Sequence, residues 1–119
     1  MKQFILLVAA LVFLSGGAIA ANAKGPETMT IKGTIVDNQC ANAHKDTESE
    51  FIKTHTKECA LACAKSGYSI FANGSLVAFD SPSSKRIEAF LKKKDSKLTV
   101  AVVVKKAGDK YSLVSIKND

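Results

Sequence analysis

The chain has 119 residues, a formal net charge of +6, three Cys and two His. This length limits the mature protein to one small domain, whose core supports folding by a thin margin, so a disulfide or a bound metal ion would help to stabilise it. No long repeat and no low-complexity tract is present, which excludes repeat and low-complexity proteins.

The N-terminus is predicted to be an export signal. Lys2 gives it a positive start, residues 4–14 form an apolar run, and small residues that suit a cleavage site follow. The run is too short to span a bilayer as a stable helix, although an uncleaved anchor is the alternative. We therefore predict a signal peptide at residues 1–23, a single domain at residues 24–119, and a periplasmic or secreted protein.

The first predicted element of the mature chain is a strand. Residues 28–37 alternate apolar and polar side chains, and Gly33 in their middle indicates a bulge or a bend. The segment NQCANAHKD at residues 38–46 is predicted to be a loop.

A single helix is predicted next, from about Glu48 to Ser66. A capping box of Thr47 and Glu50 marks its start, and Gly67 is the expected stop.

One face of this predicted helix carries the soft donor side chains. At 100° per residue, Phe51 and Ala62 mark the face that packs against the core. His55, Cys59 and Cys63 fall on that face or at its margin.

The second half of the chain is predicted to be mostly strand. Residues 68–80 form a hairpin, because the Asn73–Gly74 pair suits a turn with two positive φ angles. Pro82 opens a second helix. Strands at residues 97–106 and 110–117 complete the chain.

The predicted order of elements is β–α–β–β–α–β–β. We therefore predict a mainly β protein with two helices, a small five-stranded OB-like Greek-key barrel in which the first helix is inserted between strands 1 and 2. The alternative is an α+β sandwich with both helices on one face of an antiparallel sheet.

The positive charge lies in the C-terminal part. Residues 24–80 carry a net charge of −1 and residues 81–119 carry +6. A solvated face is the ordinary explanation, and a surface for an anionic envelope polymer is the alternative. The lysines concerned are Lys92, Lys93, Lys94, Lys97, Lys105, Lys106 and Lys110.

The three cysteines allow a disulfide and a spare thiol. An exported protein meets an oxidising environment. Cys59 and Cys63 are poor partners, because helical positions four apart hold Cβ atoms about 5–6 Å apart, whereas a disulfide needs roughly 3.5–4.5 Å. Cys40 would therefore pair with Cys59 or Cys63.

The same residues also suit a metal ion. Cys40, Cys59, Cys63 and His55 make a Cys₃His set that fits Zn²⁺, and its thiolates also suit Cu(I). His44 is a possible replacement ligand. Inert packing of small apolar thiols is the third explanation, and the disulfide and the metal site can be two forms of one site.

Catalysis is not predicted. The chain lacks a Cys-x-x-Cys pair, which argues against thiol–disulfide exchange of the thioredoxin type. Cys59 and His55 could form a nucleophile pair, but simply sharing a helix face is the more ordinary explanation. We therefore predict that the protein is not an enzyme.

Two segments, GTIVDNQCA at residues 33–41 and HTKECALACAKSG at residues 55–67, carry a resemblance. They resemble a group of small exported bacterial proteins of uncharacterised function with a G-T-x-V-D-x-x-C strand end and a C-A-x-x-C-x-x-x-G helix end. The resemblance implies an OB-like barrel without an assigned reaction. It also favours treating the three cysteines as one unit.

The sequence therefore predicts a small exported binding module. Its Cys/His site would link the loop after strand 1 to the first helix, and it would bind Zn or Cu(I) or be locked by a Cys40 disulfide. The alternative is an interaction protein that binds an anionic envelope polymer through its basic C-terminal half.

Overall fold

Five strands form one antiparallel sheet in the computed structural model, which describes residues 27–44 and 48–119. They run in the order β3-β2-β1-β4-β5, so the first strand is central. The mainly β class is confirmed, and over the described ranges the sheet is open. The strands are β1 (Thr28–Asp37), β2 (Tyr68–Ala72), β3 (Ser75–Ala78), β4 (Thr99–Ala107) and β5 (Lys110–Asn118).

Four α-helices lie in the described part of the chain, so the prediction of two helices is wrong. A short 3-10 turn at Ala64–Ser66 follows the third of them. Among the described helices, none has the length and apolar character needed to cross a bilayer. The predicted signal peptide and the Thr47 cap lie outside the described residues. The helices are α1 (Asn38–Ala43), α2 (Glu48–Thr54), α3 (Lys57–Ala62) and α4 (Ser81–Leu91).

The predicted single helix over residues 48–66 is wrong because the chain breaks at Thr56. This residue is extended, with φ −109° and ψ 159°, and its hydroxyl accepts a hydrogen bond from the backbone N–H of Cys59. A β-branched threonine is a good N-cap and a weak helix former. The break therefore separates α2 from α3.

The predicted loop after the first strand is also wrong, because Asp37 caps a helix there. Asp37 is extended, and its Oδ2 accepts a hydrogen bond from the backbone N–H of Cys40 at 2.9 Å. A carboxylate at this position satisfies a backbone donor that the first turn leaves without a partner. Helix α1 therefore begins directly where β1 ends.

Strand β1 changes partners along its length. Residues 28–34 pair with β4, and residues 34–37 pair with β2. Gly33 lies at this crossover, where a Cβ atom would collide with the backbone carbonyl oxygen of Phe71. The glycine is therefore required by a close approach of two backbones.

Helix α3 is held against the rest of the molecule by polar contacts of Lys57 and Ala60. The Lys57 ammonium donates hydrogen bonds to the carbonyl oxygens of Lys93, at 3.1 Å, and Ser96, at 2.9 Å. The buried Tyr68 hydroxyl donates to the carbonyl oxygen of Ala60 at 2.9 Å. These contacts fix the position of α3 relative to β2 and to the end of α4.

Helix α4 lies where the two edges of the open sheet approach each other. Its buried Ser84 hydroxyl accepts a hydrogen bond from the N–H of Tyr68 in β2, and its Ser83 hydroxyl accepts one from the N–H of Leu113 in β5. The Arg86 guanidinium donates to the Leu113 carbonyl oxygen at 2.6 Å. Side chains of α4 thus replace a neighbouring strand at this part of the β5 edge.

The buried core lies between the sheet and α4. Ile87 and Leu91 of α4 are fully buried, as the predicted helix stripe requires. The Asn73–Gly74 turn has positive φ at both residues, which confirms the first predicted hairpin. The other core residues are Ile35, Ala60, Tyr68, Ile70, Phe79, Val100, Val102, Val104 and Leu113.

We expect the substitution Ser83→Ala to lower the free energy of unfolding by about 1–3 kcal/mol, because it leaves the buried N–H of Leu113 without an acceptor. Urea denaturation measures the change. Ser81→Ala is the matched control, since Ser81 is exposed. Equal stabilities of the two variants would contradict the role assigned to Ser83.

Candidate metal centre

The centre is organised by Asp37, whose side chain is fully buried at the junction of β1 and α1. Its two oxygens have different partners. Oδ2 accepts from the backbone N–H of Cys40 at 2.9 Å, and Oδ1 lies 3.0 Å from Nε2 of His55. Because a carboxylate can only accept, His55 donates through Nε2.

The imidazole of His55 reaches Asp37 because α2 ends at Thr54. The His55 backbone N–H still bonds to the carbonyl oxygen of Phe51 at 3.0 Å, but its side chain is fully buried. Nδ1, the other ring nitrogen, is buried and has no hydrogen-bond partner among the described residues. The ring lies 5.0 Å from that of Phe51, which stacks on His44 at 4.0 Å.

Two cysteine sulfurs lie next to the Asp37 carboxylate. One ligand atom from each of Asp37, Cys40 and Cys63 lies within 4.8 Å of the other two. Cys40 comes from α1, whereas Cys63 is the C-cap residue directly after α3. Both cysteines are half-buried, so the group lies at the edge of the core.

The backbones that carry these two cysteines are joined by hydrogen bonds. The backbone N–H of Asn38 donates to the carbonyl oxygen of Gly67 at 2.9 Å, and its side-chain amide donates to the carbonyl oxygen of Ser66 at 2.9 Å. The backbone N–H of Gln39 donates to the Ser66 hydroxyl at 3.1 Å. The start of α1 is therefore fixed to the turn that follows Cys63.

The structure separates the predicted donors. It brings Cys40 and Cys63 together, and it connects His55 to them through Asp37. Cys59 is exposed and lies outside the group, while His44 is half-buried against Phe51. Within the described residues, all three cysteines are free thiols.

The Cys40 thiol is hard to ionise in these surroundings. Burial raises its pKa to about 12, and the hydrogen bond and negative charge of Asp37 contribute in the same direction. A bound cation would reverse this balance, because it stabilises the thiolate that coordinates it.

The donor set has a definite chemical preference. Two thiolates favour thiophilic ions, and the addition of one carboxylate oxygen is compatible with Zn²⁺. Three protein donors also leave one position of a tetrahedral ion for another ligand. The group can therefore hold a metal ion without enclosing it completely.

Asp37 is the residue that the sequence prediction missed. The pattern Asp-x-x-Cys at the end of a strand is a possible N-cap signal, since the capping carboxylate bonds to the N–H three residues later. That signal could have placed Asp37 beside Cys40. Comparisons with protein-family models, curated proteins and solved structures find no match to this chain.

We expect His55→Ala to lower the free energy of unfolding by about 3 kcal/mol or more, because it leaves the buried Asp37 carboxylate without its imidazole partner. Thermal and urea unfolding measure the loss. The matched control is His44→Ala, which removes an aromatic stack worth about 1 kcal/mol. The idea fails if the control is as damaging as the His55 variant.

The Cys40 thiol should react slowly with iodoacetamide. Its pKa of about 12 keeps the thiolate fraction small, so its alkylation rate should rise about tenfold per pH unit from about pH 7 to pH 10. Peptide mass spectrometry of the metal-free, reduced protein follows each cysteine separately, with exposed Cys59 as the internal reference. A plateau in the Cys40 rate near pH 9 would contradict this expectation.

Proposed function

We propose that the protein is a small exported metal-binding module that holds one thiophilic ion, Zn²⁺ or Cu(I), with Asp37, Cys40 and Cys63. The observation that carries this proposal is the convergence of one carboxylate and two sulfurs, with ligand atoms within 4.8 Å of one another. These atoms come from the end of β1, from α1 and from the end of α3, so the tertiary fold assembles the group.

The surroundings of the group support a binding role. His55 donates a hydrogen bond to Asp37, which is the kind of outer contact that orients a metal ligand. Asp37 is also held by the N–H of Cys40, so the carboxylate is positioned before any ion binds. His55 therefore serves in this proposal as a positioning residue for Asp37. The proposal includes no turnover.

We also propose an OB-like Greek-key barrel as the finer description of the fold. The strand order and the position of α4 between β3 and β4 are those expected for it. One parallel bridge joins Phe79, just after β3, to Tyr111 of β5. In addition, the N–H of Asp80 bonds to the Tyr111 carbonyl oxygen at 2.9 Å, so the two sheet edges approach each other.

Export and the family resemblance complete the proposal. The export signal comprises residues 1–23, which lie outside the described residues. Asp37, Cys40 and Cys63 all belong to the two motifs on which the resemblance to small exported bacterial proteins rests. We therefore expect the proposed ion site to be a feature of proteins with both motifs.

Binding of an anionic envelope polymer stays a prediction of the sequence. Lys105, Lys106 and Lys110 are exposed around the β4–β5 hairpin, whereas residues 92–97 precede the other end of β4. At about 3.3 Å per residue, the eight-residue separation between Lys97 and Lys105 corresponds to about 26 Å along the chain. The metal site is the better supported function, because its candidate ligand atoms converge within 4.8 Å of one another.

The proposal is tested by titrating the reduced protein anaerobically with Zn²⁺ and with Cu(I), each in competition with a coloured chelator. Protein from the exported fraction is used, and its mass reports whether the signal peptide has been removed. We expect one ion per chain. Cys63→Ser should weaken binding at least about 100-fold, since losing a ligand should exceed the 10–100-fold cost of losing an outer contact.

Cys59→Ser is the matched control, because Cys59 is an exposed cysteine of the same helical segment that lies outside the group. It should bind the ion as tightly as the unaltered protein. Circular dichroism confirms that each variant is folded. The proposal is wrong if neither ion binds, or if Cys59→Ser weakens binding as much as Cys63→Ser.

A further inference from the structure

We propose that Cys40 and Cys63 form a reversible disulfide, so that oxidation of the centre expels its metal ion while the fold persists. This inference rests on the proposed metal-binding function and assigns a regulation to the same site. It concerns one pair of sulfurs, and it excludes Cys59 from the switch.

The first argument is proximity. The sulfurs of Cys40 and Cys63 lie within 4.8 Å of each other and of Asp37, and both are free thiols. A disulfide needs a sulfur–sulfur distance of about 2.05 Å, so a shift of a few ångströms joins them. Cys40 lies in a six-residue helix and Cys63 follows another six-residue helix, so neither is embedded in a long rigid element.

The second argument is that the two states exclude each other. Metal binding uses the thiolate form of both sulfurs, because the thiolate is the metal ligand. A disulfide consumes both thiolates and leaves only Asp37 from the donor set. One carboxylate cannot retain a thiophilic ion that was held by two thiolates.

The third argument is that the buried Asp37 carboxylate has hydrogen-bond partners that do not involve the ion. Its oxygens accept hydrogen bonds from His55 Nε2 and from the Cys40 backbone N–H. The buried carboxylate therefore keeps two partners after an ion leaves. The hydrogen bonds of Asn38 and Gln39 to Ser66 and Gly67 likewise involve no sulfur.

The oxidation step balances with a small disulfide such as oxidised glutathione as the oxidant. One cysteine thiolate attacks a glutathione sulfur, forming a mixed disulfide and releasing one glutathione thiolate. The second cysteine thiolate then attacks the protein sulfur and releases the other glutathione. The two cysteines lose two electrons in total, the glutathione disulfide gains them, and Zn²⁺ leaves without changing its oxidation state.

Cys59 gives the internal control for this chemistry. It lies four residues before Cys63, and the N–H of Cys63 bonds to its carbonyl oxygen at 3.2 Å, as in a helix. Helical spacing holds the two Cβ atoms about 5–6 Å apart, which is too far for an unstrained disulfide. The Cys59→Ser variant should therefore keep the switch.

The experiment loads the reduced protein with one equivalent of Zn²⁺ and then adds oxidised glutathione. Native mass spectrometry follows the zinc and the two hydrogens lost, a zinc-sensitive dye follows the release, and peptide mapping identifies the bond. We expect one Zn²⁺ released per Cys40–Cys63 disulfide, in the unaltered protein and in Cys59→Ser alike. A phosphine reductant should restore zinc binding, and circular dichroism should remain that of the folded protein.

Several outcomes would overturn the inference. Zinc that stays bound after the disulfide has formed would show that the two states coexist. If the disulfide joins Cys59 to Cys63, or if Cys59→Ser no longer releases zinc on oxidation, then Cys40–Cys63 is not the reactive pair. If the protein unfolds on oxidation, the proposal that the fold persists is wrong. Failure of the reduced protein to bind zinc or Cu(I) would instead refute the underlying metal-binding function, and the titration reports this separately.

Discussion

The buried contact between Asp37 and His55 connects the elements on which the centre depends. Asp37 ends β1, begins α1 through its bond to the Cys40 N–H, and accepts the His55 imidazole from the junction of α2 and α3. Such a pair loses its hydration on folding, and that cost is often as large as its attraction. The pair is therefore better understood as fixing the positions of three elements than as the main source of stability.

The break between the short helices α2 and α3 accompanies the same contact. In the structure α2 ends at Thr54 and α3 begins after the extended Thr56, so His55 lies between two helices with its imidazole against Asp37. Cys59 then becomes exposed, and Cys63 faces Cys40. The break thus determines which thiol belongs to the centre. The proposed ion and the proposed disulfide both use the pair that this arrangement selects.

Helix α4 covers part of the unpaired β5 edge of the open sheet. Ser83 and Ser84 satisfy backbone donors of β5 and β2, and Arg86 covers a carbonyl oxygen of β5. Unpaired edges invite association with other chains, and covering them with a helix prevents this. The sheet pairs the end of β1 with β2, and this pairing holds Asp37 in place.

The strands were predictable from the sequence because alternation and turn chemistry are local. The period of two in β1 and the Asn73–Gly74 turn each follow from neighbouring residues alone. The donor set depended on contacts between residues far apart in the chain. The sequence predicted that Cys40 lies near Cys59 or Cys63, but only the tertiary structure selected Cys63, added Asp37 as a candidate ligand, hydrogen-bonded His55 to Asp37 and left Cys59 exposed. The physical reason is that a buried carboxylate is costly without hydrogen-bond donors. The donor for Asp37 is His55, which is 18 residues away in the chain and lies at the junction of α2 and α3.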